Sequence, residues 1–309
     1  MATHVGVGSS PEEMRATITK WYGVDEQLYA LAGAELAFMR AQTGIEDEEA
    51  LKRHILAVQK EAYAVFPFPC IRHFNFIKFK ISRLPGYDRL LALGKERKDA
   101  IFLDIGCCFG NDVRKAVEDG FPLKQVVASD LYPEYWDLAH KLYRSTPDTF
   151  PAAFIPGDAF DATHLAVVPP VYADSTEADA EPTPNLSSLT SLNPLHGRVA
   201  AIHASSFFHL FDEAQQAHLA HALGGLLSPA PGSMVFGTHA ARAEKGTHAA
   251  EIGPDGSTFT MFCHSPESWV ALWDGDVFRK GAVRVDAALV VHKIGTIEAT
   301  FLEWCVTRV

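Results

Sequence analysis

From about residue 98 the chain repeats one local pattern, a short apolar run followed by a turn and a stretch with helical spacing of apolar residues. AIFLDIG reads as a strand and NDVRKAVEDG as a helix closed by Gly120; QVVASDL reads as a second strand and PEYWDLAHKLYRS as a second helix. AAFIPGDAF, RVAAIHASS and GSMVFGTHA read as three more strands, with the helix DEAQQAHLAHALGG before the last. Short apolar strands separated by helices pair through right-handed crossovers, giving a mainly parallel sheet covered on both faces. VRVDAALVVHKIG and TIEATFLEWCVTRV then read as two long strands joined by a tight turn. The expectation is an α/β fold with a mainly parallel seven-stranded sheet and a C-terminal antiparallel strand pair.

The first 97 residues have a different texture. Ser10, Pro11 and Glu13 form a helix start in which serine caps the first turn and glutamate returns the hydrogen bond. Helical patterns are expected from there, over roughly Val24 to Gln42, and from about Asp47 to Ala64, where FPFPC stops the third. A chain of 309 residues can hold a core with an appendage, so residues 1–97 are expected to form a helical cap or lid on a core at 98–309. The Pro, Ser and Thr-rich stretch at 166–197 is expected to be a long surface loop.

The net charge of -11 argues against general affinity for nucleic acid or anionic membrane, which reward clustered cations. IRHFNFIKFKISRLPGY interleaves aromatics with cations, but one short example in an acidic chain does not make a nucleic-acid site. Cysteines at 70, 107, 108, 263 and 305 show no paired spacing, so neither a disulfide framework nor a metal site is expected. The absence of a basic and apolar leader or an uncharged spanning run leads to an expected cytoplasmic location.

The turn in FLDIGCCFGNDV carries the chemistry. It lacks the GK[ST] of an ATP or GTP loop, and its G-C-C-F-G departs from the G-x-G-x-x-G of a dinucleotide fold. Asp104 and Asp112 flank it, and carboxylates repel a pyrophosphate but attract an ammonium or sulfonium. Asp130, about twenty residues beyond the turn, stands where an acid can accept both ribose hydroxyls, and Asp158 in GDAF where a carboxylate could accept from an adenine amine. An adenosyl group with a cationic tail, S-adenosylmethionine, fits these signals.

With these motifs in order, residues 98–309 resemble the Rossmann-like, class I S-adenosylmethionine-dependent methyltransferases. LDIGCCFG is similar to that family's D-x-G-x-G-x-G, with Cys108 in place of the middle glycine. The resemblance implies that Gly106 and Gly110, with Cys107 between them, approach the methionine part and that Asp104 helps orient its amino group. It further implies that Asp130 holds the ribose, with Leu131 beside it, and that Asp158 and Ala159 meet the adenine. HASSFFHLF lies where the family places residues touching cofactor and acceptor, which nominates Ser205 for the cofactor and Phe208 for the substrate. The N-terminal region, GDAF, HASSFFHLF and LLSPAPGSMVFG also resemble fungal small-molecule methyltransferases of secondary metabolism, some of which methylate carboxyl groups.

On the acceptor side His209 is the expected general base, with His264 as a second catalytic candidate, while His203 inside the strand can be a core residue. Trp21, Tyr22, Phe74 and Arg83 are expected to contact the substrate, with Phe76 and Tyr87 in the same lid. Arg72, Lys78 and Arg83 could supply a positive field for a carboxylate. The implied function is O-methylation of a small hydrophobic carboxylic acid or phenol; alternatives are transfer to nitrogen or carbon, or an inactive cofactor-binding partner protein.

Overall fold

The computed structural model describes residues 4–6, 8–174, 184–251, 255–294 and 297–309. Its centre is a seven-stranded sheet built from β2 (Ile101–Ile105), β3 (Val126–Ser129), β4 (Ala153–Phe154), β5 (Val199–His203), β6 (Met234–Ala240), β9 (Val283–Ile294) and β10 (Ile297–Arg308). The spatial order is β4-β3-β2-β5-β6-β10-β9. Five strands pair in parallel, whereas β10 runs antiparallel to both β6 and β9. The order reverses between β2 and β5, opening a crevice at the carboxyl ends of these strands. Every residue of β2, β3 and β5 is buried, as strands covered on both faces require.

Helices α5 (Tyr87–Glu96) and α6 (Asn111–Glu118) share one buried cluster with the sheet through Leu90, Leu93 and Val113 against Phe102 and Phe236. On the other face α8 (Glu213–Leu226) and α9 (Pro266–Trp273) pack with Trp269, Trp273 and Trp304 around Phe208. Leu186, Leu192 and Leu195 join that core, so the stretch expected to be a surface loop contributes buried anchors; residues 175–183 within it lie outside the described residues.

In the N-terminal region, α1 (Pro11–Trp21) starts with the expected capping box, and α3 (Glu48–Val65) ends before the prolines. The pattern read as one helix from Val24 instead breaks into a single turn at Glu26–Leu28 and α2 (Gly33–Thr43), whose first residue follows an alanine that offers no capping side chain. The short α4 (Pro69–Arg72) leads into irregular chain. Phe38, Leu51, Ile55, Phe74 and Phe76 share a cluster with Phe109, Tyr135 and Tyr143, so this layer is fused to α7 (Pro133–Leu142) by apolar burial.

A second sheet was not foreseen: β1 (His4–Gly6) runs parallel to β8 (Thr258–Cys263), which pairs antiparallel with β7 (Gly246–Glu251). The tight turn expected between β9 and β10 falls at 295–296, outside the described residues.

Candidate functional site

The glycine turn closes directly on β3. The amides of Gly106 and Cys107 both donate to Ser129 O, at 2.9 and 3.1 Å, and Gly110 N donates to Cys107 O at 2.8 Å. Gly106 (φ 67°) and Gly110 (φ 59°) take the left-handed conformation, and a Cβ at either would lie 2.6 Å from the ring of Phe207 or Trp136. Cys108 takes the same conformation at φ 51° despite its side chain. Its amide donates to Asp130 Oδ2 at 2.8 Å, while Tyr132 N donates to Oδ1 at 3.0 Å.

The Asp130 carboxylate is therefore clamped between the turn and the entry to α7. Burial raises its pKa to about 6 despite those two backbone donors. Beside it Leu131 is 53% exposed, an apolar face at the crevice. Gly157 N donates to Asp130 O at 3.1 Å, which brings the GDAF loop alongside. There Asp158 is exposed and accepts from Phe160 N at 2.9 Å, and Ala159 is half-buried against the core.

At the other end of the turn a small cavity of about 30 Å³ is lined by Cys70, Phe76, Lys80, Asp104, Gly106, Cys107, Cys108, Asn111, Asp112, His203 and Ser205. Asp104, buried at the end of β2, lies 2.8 Å from His203 Nδ1, and His203 Nε2 lies 2.6 Å from Ser205 Oγ. Burial pushes the Asp104 carboxyl above its ordinary range, against the pull of His203. Because a carboxylate only accepts, His203 donates from Nδ1 and accepts the Ser205 proton at Nε2, leaving the serine oxygen free to accept from the cavity. The connectivity is that of a hydrolase triad, but the Gly106 and Cys107 amides beside it are committed to Ser129 O and offer no oxyanion hole.

The remaining expectations divide. Phe208 does not face the crevice: Ser206 at φ 55° turns the chain, Phe207 packs over Gly106, and Phe208 enters the tryptophan cluster with no exposed surface. Phe74 is likewise fully buried, edge-on to Tyr29. Tyr87 is buried on α5, its hydroxyl donating to Asp119 at 2.6 Å, and is no part of a lid. Tyr22 is a partly buried helix end under Arg72, and Trp21 closes α1 with its side chain outside the described residues. Arg83 and Lys78 pair with Glu35 at 2.8 and 3.1 Å, and Arg72 lies 3.7 Å from Asp25, so their positive field is largely neutralised. Lys80, which was not singled out as a site residue, is the cation that lines the cavity.

His209 does not line the cavity. Its Nδ1 accepts from Ala240 N at 3.3 Å, which places the neutral ring's proton on Nε2 as a donor. Burial, aided by Lys80, lowers its pKa to about 4. His264 sits outside the cavity at the α9 cap, with Nδ1 2.8 Å from Ser268 Oγ; burial likewise lowers its pKa to about 4. Between them His239, absent from the sequence reading, accepts from Trp304 Nε1 at 2.9 Å. Nothing in GSMVFGTHA distinguishes it from an ordinary strand residue.

Asp130 and Leu131 suit an adenosine, and the glycine cradle with Asp104, Ser205 and Lys80 suits a charged tail, so the residues present fit S-adenosylmethionine. Comparison with known proteins agrees. Residues 21–77 match the family described as the meroterpenoid methyltransferase N-terminal domain. The Asnovolin E/Chermesin D methyltransferase nvfJ of Aspergillus novofumigatus is 32% identical over 222 residues, covering 71% of this chain and 68% of that protein. The O-methyltransferase phiE of Fungal sp. (strain ATCC 74256) is 29% identical over 73% of this chain and 65% of its own length. The O-methyltransferase atr3 of Stereocaulon alpinum is 30% identical over 60% of this chain and 46% of its own. The match thus spans less than two thirds of phiE and of atr3.

Proposed function

Because the chain belongs to the class I S-adenosylmethionine-dependent methyltransferases of fungal secondary metabolism, we propose that it methylates a small hydrophobic metabolite on oxygen, with a carboxylate as the favoured acceptor. The observation that carries the cofactor assignment is Asp130, clamped by the Cys108 and Tyr132 amides beside exposed Leu131. S-adenosylmethionine supplies a methyl group on a sulfonium, open to in-line displacement. The chain's own part is to hold the two reactants in line and keep water out. Gly106 and Gly110 let the backbone approach the charged tail, and the aromatic layer of Phe76, Phe109 and Phe207 walls the turn.

The state of His209 favours the carboxylate over the phenol. A phenol with a pKa of about 10 gains from a base, whereas a carboxylic acid is already ionised at neutral pH and needs orientation. Neutral His209, donating from Nε2, orients an anionic oxygen without removing a proton. We assign the N-terminal layer the role of a lid, with its boundary near residue 80, because α5 packs with the sheet.

The test is titration calorimetry with S-adenosylhomocysteine beside NAD and ATP, followed by labelled methyl transfer to a panel of carboxylic acids and phenols. Selective binding and ester formation are expected. Binding of NAD alone, or cofactor binding without turnover of any acceptor, would refute the enzyme reading.

A further inference from the structure

The cavity beside the glycine turn has the charge pattern of an α-amino acid. Asp104 and Asp112 line it together with Ser205, whose oxygen is left as an acceptor by the Asp104–His203 chain. Against these acceptors stands, among the described residues, one lysine, Lys80. The neighbouring basic residues are engaged elsewhere: Lys78 and Arg83 with Glu35, Arg72 with Asp25. Among the described residues the Lys80 ammonium has no hydrogen-bond or ion-pair partner. Acids alone would suit any cation; acids facing a single ammonium suit a zwitterion.

The backbone around Lys80 is held by the same turn. Asp112 Oδ1 accepts from Lys80 N at 3.3 Å and Ile81 N at 3.1 Å, and Asn111 Nδ2 donates to Lys78 O at 2.9 Å. Residues 78–81 thus form a strap pinned across the first turn of α6, carrying Lys80 to the cavity. The cavity is small, about 30 Å³, so an amino-acid arm needs its lining to relax around it.

We propose that Lys80 binds the α-carboxylate of the cofactor's amino-acid arm while Ser205 accepts from its ammonium, making the N-terminal strap part of the cofactor site. The assignment rests on the methyl-donor reading above and extends it to a residue outside the αβ core. It distinguishes S-adenosylmethionine from its decarboxylated form, which keeps the adenosine, sulfonium and amine but lacks the group Lys80 recognises.

The experiment titrates wild type and Lys80→Met with S-adenosylmethionine and with decarboxylated S-adenosylmethionine, following the thermal midpoint of each variant. Wild type is expected to bind the decarboxylated form about tenfold more weakly or worse. Lys80→Met is expected to lose a similar factor for S-adenosylmethionine and less than about twofold for the decarboxylated form. Lys80→Gln gives the same comparison should methionine disturb packing, and Lys80→Arg restores part of the preference. Equal losses for both ligands, or none, overturn the assignment, as does a rise confined to the KM of the methyl acceptor. Failure of wild type to bind either ligand overturns the methyl-donor reading itself, and the assignment with it.

Discussion

At the scale of single residues, Cys108 shows how far the turn departs from an all-glycine loop without losing its geometry. Its left-handed backbone costs a side-chain-bearing residue about 1–2 kcal/mol, yet the contact it supplies to Asp130 comes from the main chain. Cys108→Gly keeps that amide and removes the strain, offset in part by the greater chain entropy of glycine. A gain of about 1 kcal/mol in urea unfolding is expected, with cofactor affinity retained. Asp130 sets a pH dependence. With its pKa raised to about 6, the ionised carboxylate opposes folding: its contribution is most favourable below the ordinary value of 3.8 and is lost as pH rises through 6. Ribose binding has the opposite sense, since only the ionised form accepts two hydroxyls freely. Cofactor affinity should therefore be level above about pH 7 and fall below about pH 6, and Asp130→Asn should flatten the curve; calorimetry across pH 5–8 reads both.

At the scale of elements, the strap depends on one side chain. Asp112 accepts two backbone amides from residues 80 and 81, one of them buried, and its loss leaves both without a partner. Asp112→Ala should cost about 1–3 kcal/mol and speed hydrogen exchange across residues 78–83, whereas Asp112→Asn, which keeps an acceptor oxygen, should cost less. Exchange in this segment identical to wild type in the alanine variant would mean that the strap is held by packing alone. The strap also shows where sequence reading stops. Arg72, Lys78, Lys80 and Arg83 share one aromatic and basic stretch, and only Asp25, Glu35 and Asp112, up to 48 residues away, determine which cation faces the cavity. Local signals did better: Ser10 with Glu13 and Ser265 with Pro266 fixed two helix starts because the capping atoms lie within three residues. GTHAAE and TFTMFC escape the sequence reading although Asp255-Gly256 between them is a turn signal, because the small and polar residues of GTHAAE have little strand preference of their own.

At the scale of the whole molecule, a mainly parallel sheet covered on both faces followed from the alternation of strands and helices, while the strand order and its switch point came from the structure. The far face of the sheet did not, since the cluster that joins β6, β10, α9 and the chain after β5 is set by side chains distant in sequence. Trp304 sits in its midst, 1% exposed, with Phe208, Trp269 and Trp273 around it and its indole N–H donating to His239 Nδ1. Among the described residues His239 Nε2 has no partner, and burial holds the ring's pKa well below its ordinary range. Removing the indole donor therefore leaves a buried imidazole with neither nitrogen engaged. Trp304→Phe should cost about 2–3 kcal/mol, most of it desolvation of His239 rather than lost volume. His239→Leu alone strands the indole N–H and should cost about 1–3 kcal/mol. In the double variant neither polar partner remains, so its cost should fall short of the sum of the two by about 1 kcal/mol or more. Denaturant unfolding of the four proteins measures that coupling, and strict additivity would show that the cluster is held by apolar packing with no contribution from the Trp304–His239 hydrogen bond.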